Sequence, residues 1–119
     1  MSSRIWYVGD YSIADGKTEE FKSIIQEVID LERSASDVLV YEFFLDDDES
    51  KFHAIESFKD SDSVIQHMER GNEIIPKLLE VADVTRFEIY GDATQALRDA
   101  VGPFGAKIFP RWDGFTRSD

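Results

Sequence analysis

The chain predicts an α+β fold, a ferredoxin-like β-α-β-β-α-β unit carrying a C-terminal extension. Three observations lead there. Hydrophobic periodicity alternates between two residues and about 3.6 residues, in the order strand, helix, strand, strand, helix, strand. The two central strand-like runs are joined by a short acidic turn, "DDDES". Finally, 119 residues that are 42% hydrophobic and 13% aromatic suit one domain with a substantial core, and leave no room for a second.

Each element can be justified in turn. Residues 4–14, "RIWYVGDYSIA", alternate aromatic and β-branched residues and read as a strand, closed by a turn at Asp15-Gly16. From Lys17 to about Arg33, Phe21, Ile24, Ile25, Val28, Ile29 and Leu31 recur mostly at helical spacing. Residues 37–46, "DVLVYEFFLD", are the clearest strand, with Val38, Val40 and Phe44 expected on one face and Leu39, Tyr41, Phe43 and Leu45 on the other. Both faces are apolar, so both should be covered. One helix layer covers one of them; the other calls for a second sheet, most simply from another copy of the chain.

The acids at 46–50 lack the alternating ligands and the glycine of a calcium loop, and read as a solvated hairpin tip. The third strand, "KFHAIESFK", places Phe52, Ala54, Glu56 and Phe58 on one face and Lys51, His53 and Ile55 on the other. Asp60 or Ser61 caps the next helix, whose apolar stripe runs Val64, Met68, Gly71, Ile75, Leu78, with a break near Asn72 from Gly71 and Pro76. The fourth strand, "DVTRFEIYG", turns Phe87 and Ile89 one way and Arg86 and Glu88 the other. After it, "DATQ" reads as a capping box with Asp92 as the cap and Gln95 as its partner, opening a short helix stopped by Gly102-Pro103. Residues 1–91 thus form the core domain, and 92–119 a helix and arm of the same domain, the arm packing on the body or on a partner.

Charge and composition exclude several functions. Net charge is −12, from 25 acids against 13 bases, and no Lys/Arg cluster offsets it, so nucleic acid and anionic membrane surfaces are not expected partners. With no cysteine there is no disulfide, thiolate catalysis, Cys-bound zinc or iron–sulfur cluster. The two histidines sit on different elements without metal-ligand spacing, and no phosphate loop is present, so neither a metal site nor a phosphate-bearing cofactor is expected, while haem on His67 stays open. No stretch has transmembrane length and no signal-peptide pattern opens the chain, which makes a soluble cytoplasmic protein the expectation.

The run "YEFFLDDDESKFHAIESFKDSDSVIQHM", followed by "FEIYG", resembles the antibiotic-biosynthesis-monooxygenase superfamily of dimeric α+β barrels. The matching positions are Tyr41-Glu42 before the acidic hairpin, Glu56 and the aromatic Phe58 ending the third strand, and His67 on the following helix. The resemblance covers residues 4 to about 91. It implies a homodimer and a small aromatic ligand, and points to cofactor-free oxygenation of a phenolic or quinol-like compound by dioxygen. A non-enzymatic small-molecule or haem-binding module of the same fold is the alternative. Three positions depart from the family. The first strand has no Asn, with Asp10 and Ser12 its nearest polar residues; Phe58 stands where Trp is usual; and "ERSAS" replaces a Glu-Pro-Gly turn.

His67 is the focus of the candidate site. It borders the apolar stripe of its helix, and an imidazole with an ordinary pKa of about 6.5 suits a general base acting on a phenolic or enolic proton. Deprotonation would give an electron-rich anion able to reduce dioxygen without metal or flavin. The competing reading makes His67 a structural residue bonded to a neighbouring strand. Glu56 is the candidate supporting carboxylate, with Phe58 as a ring wall, and each has a plainer reading as a satisfied strand-end residue or as core. Tyr41, Asp10 and Trp6 complete the candidate substrate contacts, and Tyr7 and Tyr11 add aromatic lining. His53, on the other strand face, is given no catalytic role.

Overall fold

A computed structural model describes residues 3–117; the ends of the two predicted segments, 1–2 and 118–119, lie outside the described residues. The elements are β1 (Ile5–Ile13), α1 (Thr18–Glu32), β2 (Val38–Leu45), β3 (Lys51–Phe58), α2 (Ser61–Arg70), α3 (Ile75–Leu79), β4 (Ala82–Tyr90), α4 (Gln95–Val101) and β5 (Lys107–Phe109), with a 3₁₀ turn at Gly102–Phe104. The strands form one sheet in the order β2-β3-β1-β4-β5. All pairs are antiparallel except β4 with β5. The first four strands reproduce the predicted α+β, ferredoxin-like plan, and β5 adds a short parallel strand where the sequence shows only an irregular arm.

The helices pack on one sheet face, because alternate strand residues on that face are apolar. Tyr11, Ile13, Phe52, Ala54 and Ala82 meet Phe21 and Ile24 of α1 and Leu78 of α3. Towards the other end Ile5, Phe58 and Ile89 meet Val64 of α2 and Leu97 and Val101 of α4. The single long helix is α1, and among the described residues no helix is long and apolar enough to cross a membrane. Among the described residues no helix or strand packs across the opposite sheet face, where Phe44, Ile55 and Phe109 are exposed.

Two local expectations change. Opposite β3, Val38 pairs with Phe58 but Val40 pairs with Ser57, so a bulge at Leu39 breaks the alternation. Val38 therefore joins Tyr41 and Phe43 on the helix-facing side, and Leu39 is left exposed. A one-residue bulge inverts the parity of all that precedes it, and a simple alternating count cannot detect it. At α4 the cap is Thr94, whose hydroxyl accepts from Leu97 N at 3.2 Å. Asp92 instead accepts from Arg111 N at 3.3 Å and ties the arm to the body. At α2 the cap is Asp60, which accepts from Ser63 N at 2.9 Å, while Gly71 closes the helix and Pro76 opens α3. Between β4 and α4, Gly91 has φ +129 and a Cβ there would stand 2.7 Å from Arg4 O, so only glycine fits.

Candidate active site

His67 reaches the inner face because it lies three residues after Val64 and four before Gly71, in register with the buried stripe of α2. Its imidazole is clamped by two rings. Phe58 lies 5.1 Å away at 35°, and Tyr41 meets it edge-on at 5.6 Å. Nδ1 donates to Glu32 Oε1. Arg70, one turn further along α2, grips the same carboxylate, donating Nε to Oε2 at 2.6 Å and Nη2 to Oε1 at 3.0 Å. Glu32 is the last residue of α1, and its carboxylate is almost wholly buried. Burial alone pushes its carboxyl up, but the contacts with His67 and Arg70 outweigh that and take it down to about 2. An ionised acceptor on Nδ1 holds the ring N–H there and leaves the Nε2 lone pair as the reactive position.

Nε2 faces Glu56 Oε1 at 3.5 Å, a contact that makes no hydrogen bond. Glu56 is a second buried acid of opposite character. Its Oε1 has no hydrogen-bond partner, and burial lifts the carboxyl to about 7, with His67 opposing the rise and Glu32 adding to it. One imidazole thus stands between a carboxylate that stays ionised and a carboxyl that takes up its proton near neutral pH. Two carboxyls pushed apart by their surroundings are the arrangement from which acid and base roles are assigned.

A cavity of about 350 Å³ opens beside His67 between the sheet and helices α1, α2 and α3, near the lower end of the size range of small-molecule sites. Its walls are mostly apolar, with Val64, Met68, Ile75 and Phe87 among them, and the exposed Leu79, Val84 and Phe104 at the rim. Its polar side chains are His67, Asn72, Tyr7 and Tyr11. On the far side of the His67–Glu32 pair, a second groove of about 470 Å³ is lined by Glu32, Tyr41, Arg33 and Glu42.

The fold brings four of the six sequence-predicted residues together: His67 in the cavity wall, Glu56 behind it, and Phe58 and Tyr41 as its two ring neighbours. Phe58 is fully buried and packs with Val64 and Ile89 rather than lining the cavity. Asp10 and Trp6 do not join them. They lie on the opposite sheet face, where Asp10 pairs with His53 Nδ1 at 2.9 Å and with Arg86 at 3.7 Å, and Arg4 covers the Trp6 ring at 4.5 Å. The reason is strand parity: β1 turns its odd-numbered residues to the helices. Four further residues belong to the site. Glu32 and Arg70 went unread, and Tyr7 and Tyr11 were read only as lining. A signal for Glu32 exists, because Phe21, Ile24, Val28 and Glu32 continue one helical stripe and put a carboxylate where an apolar residue is expected.

No family model and no curated protein matches the chain. Solved structures do. MupZ from Pseudomonas fluorescens superimposes with a TM-score of 0.89 over 98% of this chain and 91% of its own, at 19% identity. SnoaB, a cofactor-independent oxygenase from Streptomyces nogalater, gives a TM-score of 0.66 over 79% of this chain and 97% of its own, at 10% identity. An antibiotic biosynthesis monooxygenase gives 0.65 over 76% and 98%, at 19% identity. The chain therefore has the fold of the antibiotic-biosynthesis-monooxygenase-like superfamily. The match to MupZ also extends over nearly the whole chain, whereas the other two stop at about four-fifths of it.

Proposed function

We propose that this protein is a cofactor-independent monooxygenase for a small phenolic or quinol-like compound, with His67 as the general base. The observation that carries the reading is the arrangement of His67. It lines an apolar cavity, is tied through Nδ1 to an ionised carboxylate, and leaves Nε2 without a hydrogen bond. A substrate O–H in the cavity gives its proton to Nε2. The resulting imidazolium is neutralised by Glu32, which Arg70 keeps charged. Glu56, 3.5 Å away, is a positioning residue and the next acceptor for that proton. The substrate anion then reduces dioxygen directly. For a ring methylene, one oxygen atom becomes the product carbonyl and the other leaves as water with the two substrate hydrogens, so no outside reductant is consumed.

The working unit in this proposal is a homodimer, the second copy covering the sheet face that exposes Phe44, Ile55 and Phe109. The residues to which this reading gives roles, His67, Glu32, Arg70 and Glu56, all come from one chain.

The test is dioxygen uptake by metal-stripped protein with hydroquinones, anthrones and catechols, wild type beside His67→Ala. Loss of a general base should lower the rate about 100-fold or more. An unchanged rate in the folded variant refutes the assignment. A non-catalytic binding module is the second reading, favoured by the lack of an Asn on β1. It requires thermal stabilisation by a ligand that is never consumed.

A further inference from the structure

Among the described residues no Lys or Arg side chain lines the cavity, so none of its lining groups matches a phosphate or a carboxylate ligand. Its polar groups are two phenols, one imidazole and one amide. The phenols come from a single strand. Tyr7 and Tyr11 lie four residues apart on the helix-facing side of β1, with Gly9 between them. A Cβ on Gly9 would stand 2.5 Å from the Tyr7 hydroxyl oxygen and 2.9 Å from its ring. The Tyr7 ring therefore lies along the strand over Gly9, on the side of Tyr11. The rings are held in place by their neighbours. Phe87 packs edge-on against Tyr7 at 5.0 Å, and Phe52 and Phe21 hold Tyr11 at 5.7 Å and 6.1 Å.

Packing does not explain the hydroxyls, since phenylalanine would fill either place. Nor do they serve as bases. Burial raises both phenols above their ordinary value, with the neighbouring Glu56 charge adding to the rise in each, so both stay protonated and donate. Tyr7 is also the direct cross-strand partner of Glu56, which places the pair beside the proton-handling groups.

We infer that Tyr7 and Tyr11 form a paired-hydroxyl site that receives the substrate oxygen and holds the negative charge left there when His67 takes its proton, with Gly9 giving the Tyr7 ring the room to reach it. This rests on the proposed proton abstraction and narrows the ligand to a class: an apolar body bearing one ionisable phenolic or enolic oxygen, uncharged before it reacts. In the step itself the O–H bond breaks, the proton moves to Nε2, and the oxygen keeps the bonding pair. Fixed donors in an apolar cavity stabilise such an anion more than water does, because they need not reorganise.

The test uses 4-nitrophenol, whose phenol and phenolate forms absorb at different wavelengths, and nitrobenzene as its counterpart without a hydroxyl. At neutral pH wild-type protein should bind 4-nitrophenol with a larger phenolate fraction than in free solution. Tyr7→Phe and Tyr11→Phe should each weaken phenolate binding about tenfold, as for loss of a hydrogen bond to a charged acceptor, and leave nitrobenzene affinity unchanged. Gly9→Ala should behave like Tyr7→Phe. The inference is overturned by wild-type phenolate binding in both phenylalanine variants, by an equal loss for nitrobenzene, or by failure of the wild type to bind 4-nitrophenol. Binding and turnover separate cleanly. Hydroxyl-dependent binding without dioxygen uptake keeps this site and removes the oxygenase; uptake that survives both substitutions does the reverse.

Discussion

Replacing Glu56 by glutamine should stabilise the protein, and only on the alkaline side. Glu56 is 5% exposed and its carboxyl is lifted from 4.5 to about 7. A carboxyl whose folded value is raised favours the folded state while it is protonated in that state. The benefit is complete below about pH 4.5 and is lost as pH rises through about 7. The rise of roughly 2.5 units corresponds to about 3 kcal/mol, the cost of keeping an ionised Glu56 buried at high pH. Glutamine keeps the shape and never ionises. At about pH 5 the variant and the wild type should unfold alike, and by about pH 8.5 the variant should be more stable by about 2–3 kcal/mol. For a domain of this size that is about 10 °C in Tm. Urea unfolding of both proteins across this range measures the difference directly. Parallel pH profiles, or a variant that loses stability at alkaline pH, would refute the claim that Glu56 is a buried acid that cannot ionise cheaply.

Glu32→Gln should act in the opposite sense. A folded carboxyl held at about 2 contributes stability above about pH 4.5 that disappears as pH falls towards 2, so the variant should be about 2–3 kcal/mol less stable at neutral pH and converge with the wild type in acid. Denaturant titrations at several pH values check this, and a gap that persists at low pH speaks against an ionised Glu32. On the uncovered sheet face, Phe44→Glu should weaken self-association about tenfold or more without altering the fold, because a half-exposed apolar ring is exchanged for a charge. Sedimentation against wild type decides it, and a wild type that stays monomeric at high concentration removes the dimer.

Local pattern carried much of this structure. Turn residues and periodicity placed the strands and helices, because alternation and helical spacing each report one buried face. The break at Gly71 and Pro76 and the cap at Asp60 were readable for the same reason: they are backbone chemistry within a few residues. The structure brings His67, Glu56, Phe58 and Tyr41 together, although Phe58 lies in the core beside the cavity and not in its wall. Yet spacing could not show what His67 touches. Its partner Glu32 lies 35 residues away, and only the tertiary contact of the end of α1 with His67 and Arg70 decides that an apparent helix-end glutamate becomes a buried counter-ion.

The first strand marks the boundary between the two kinds of knowledge. Its sequence by itself determined that Tyr7, Gly9 and Tyr11 share a face and that Trp6 and Asp10 share the other, since side chains alternate at every residue. Both faces are aromatic, so the pattern could not say which one the helices would cover. The tertiary structure decided it through Ile5 and Ile13, which close the helix side at both ends, and so sent Tyr7 and Tyr11 to the cavity and Asp10 to His53 and Arg86. Burial did the same for the acids. Glu32 and Glu56 carry the same carboxyl, and one is held near 2 and the other near 7 because Arg70 and His67 hydrogen-bond the first, whereas the second is buried with no hydrogen bond at its Oε1.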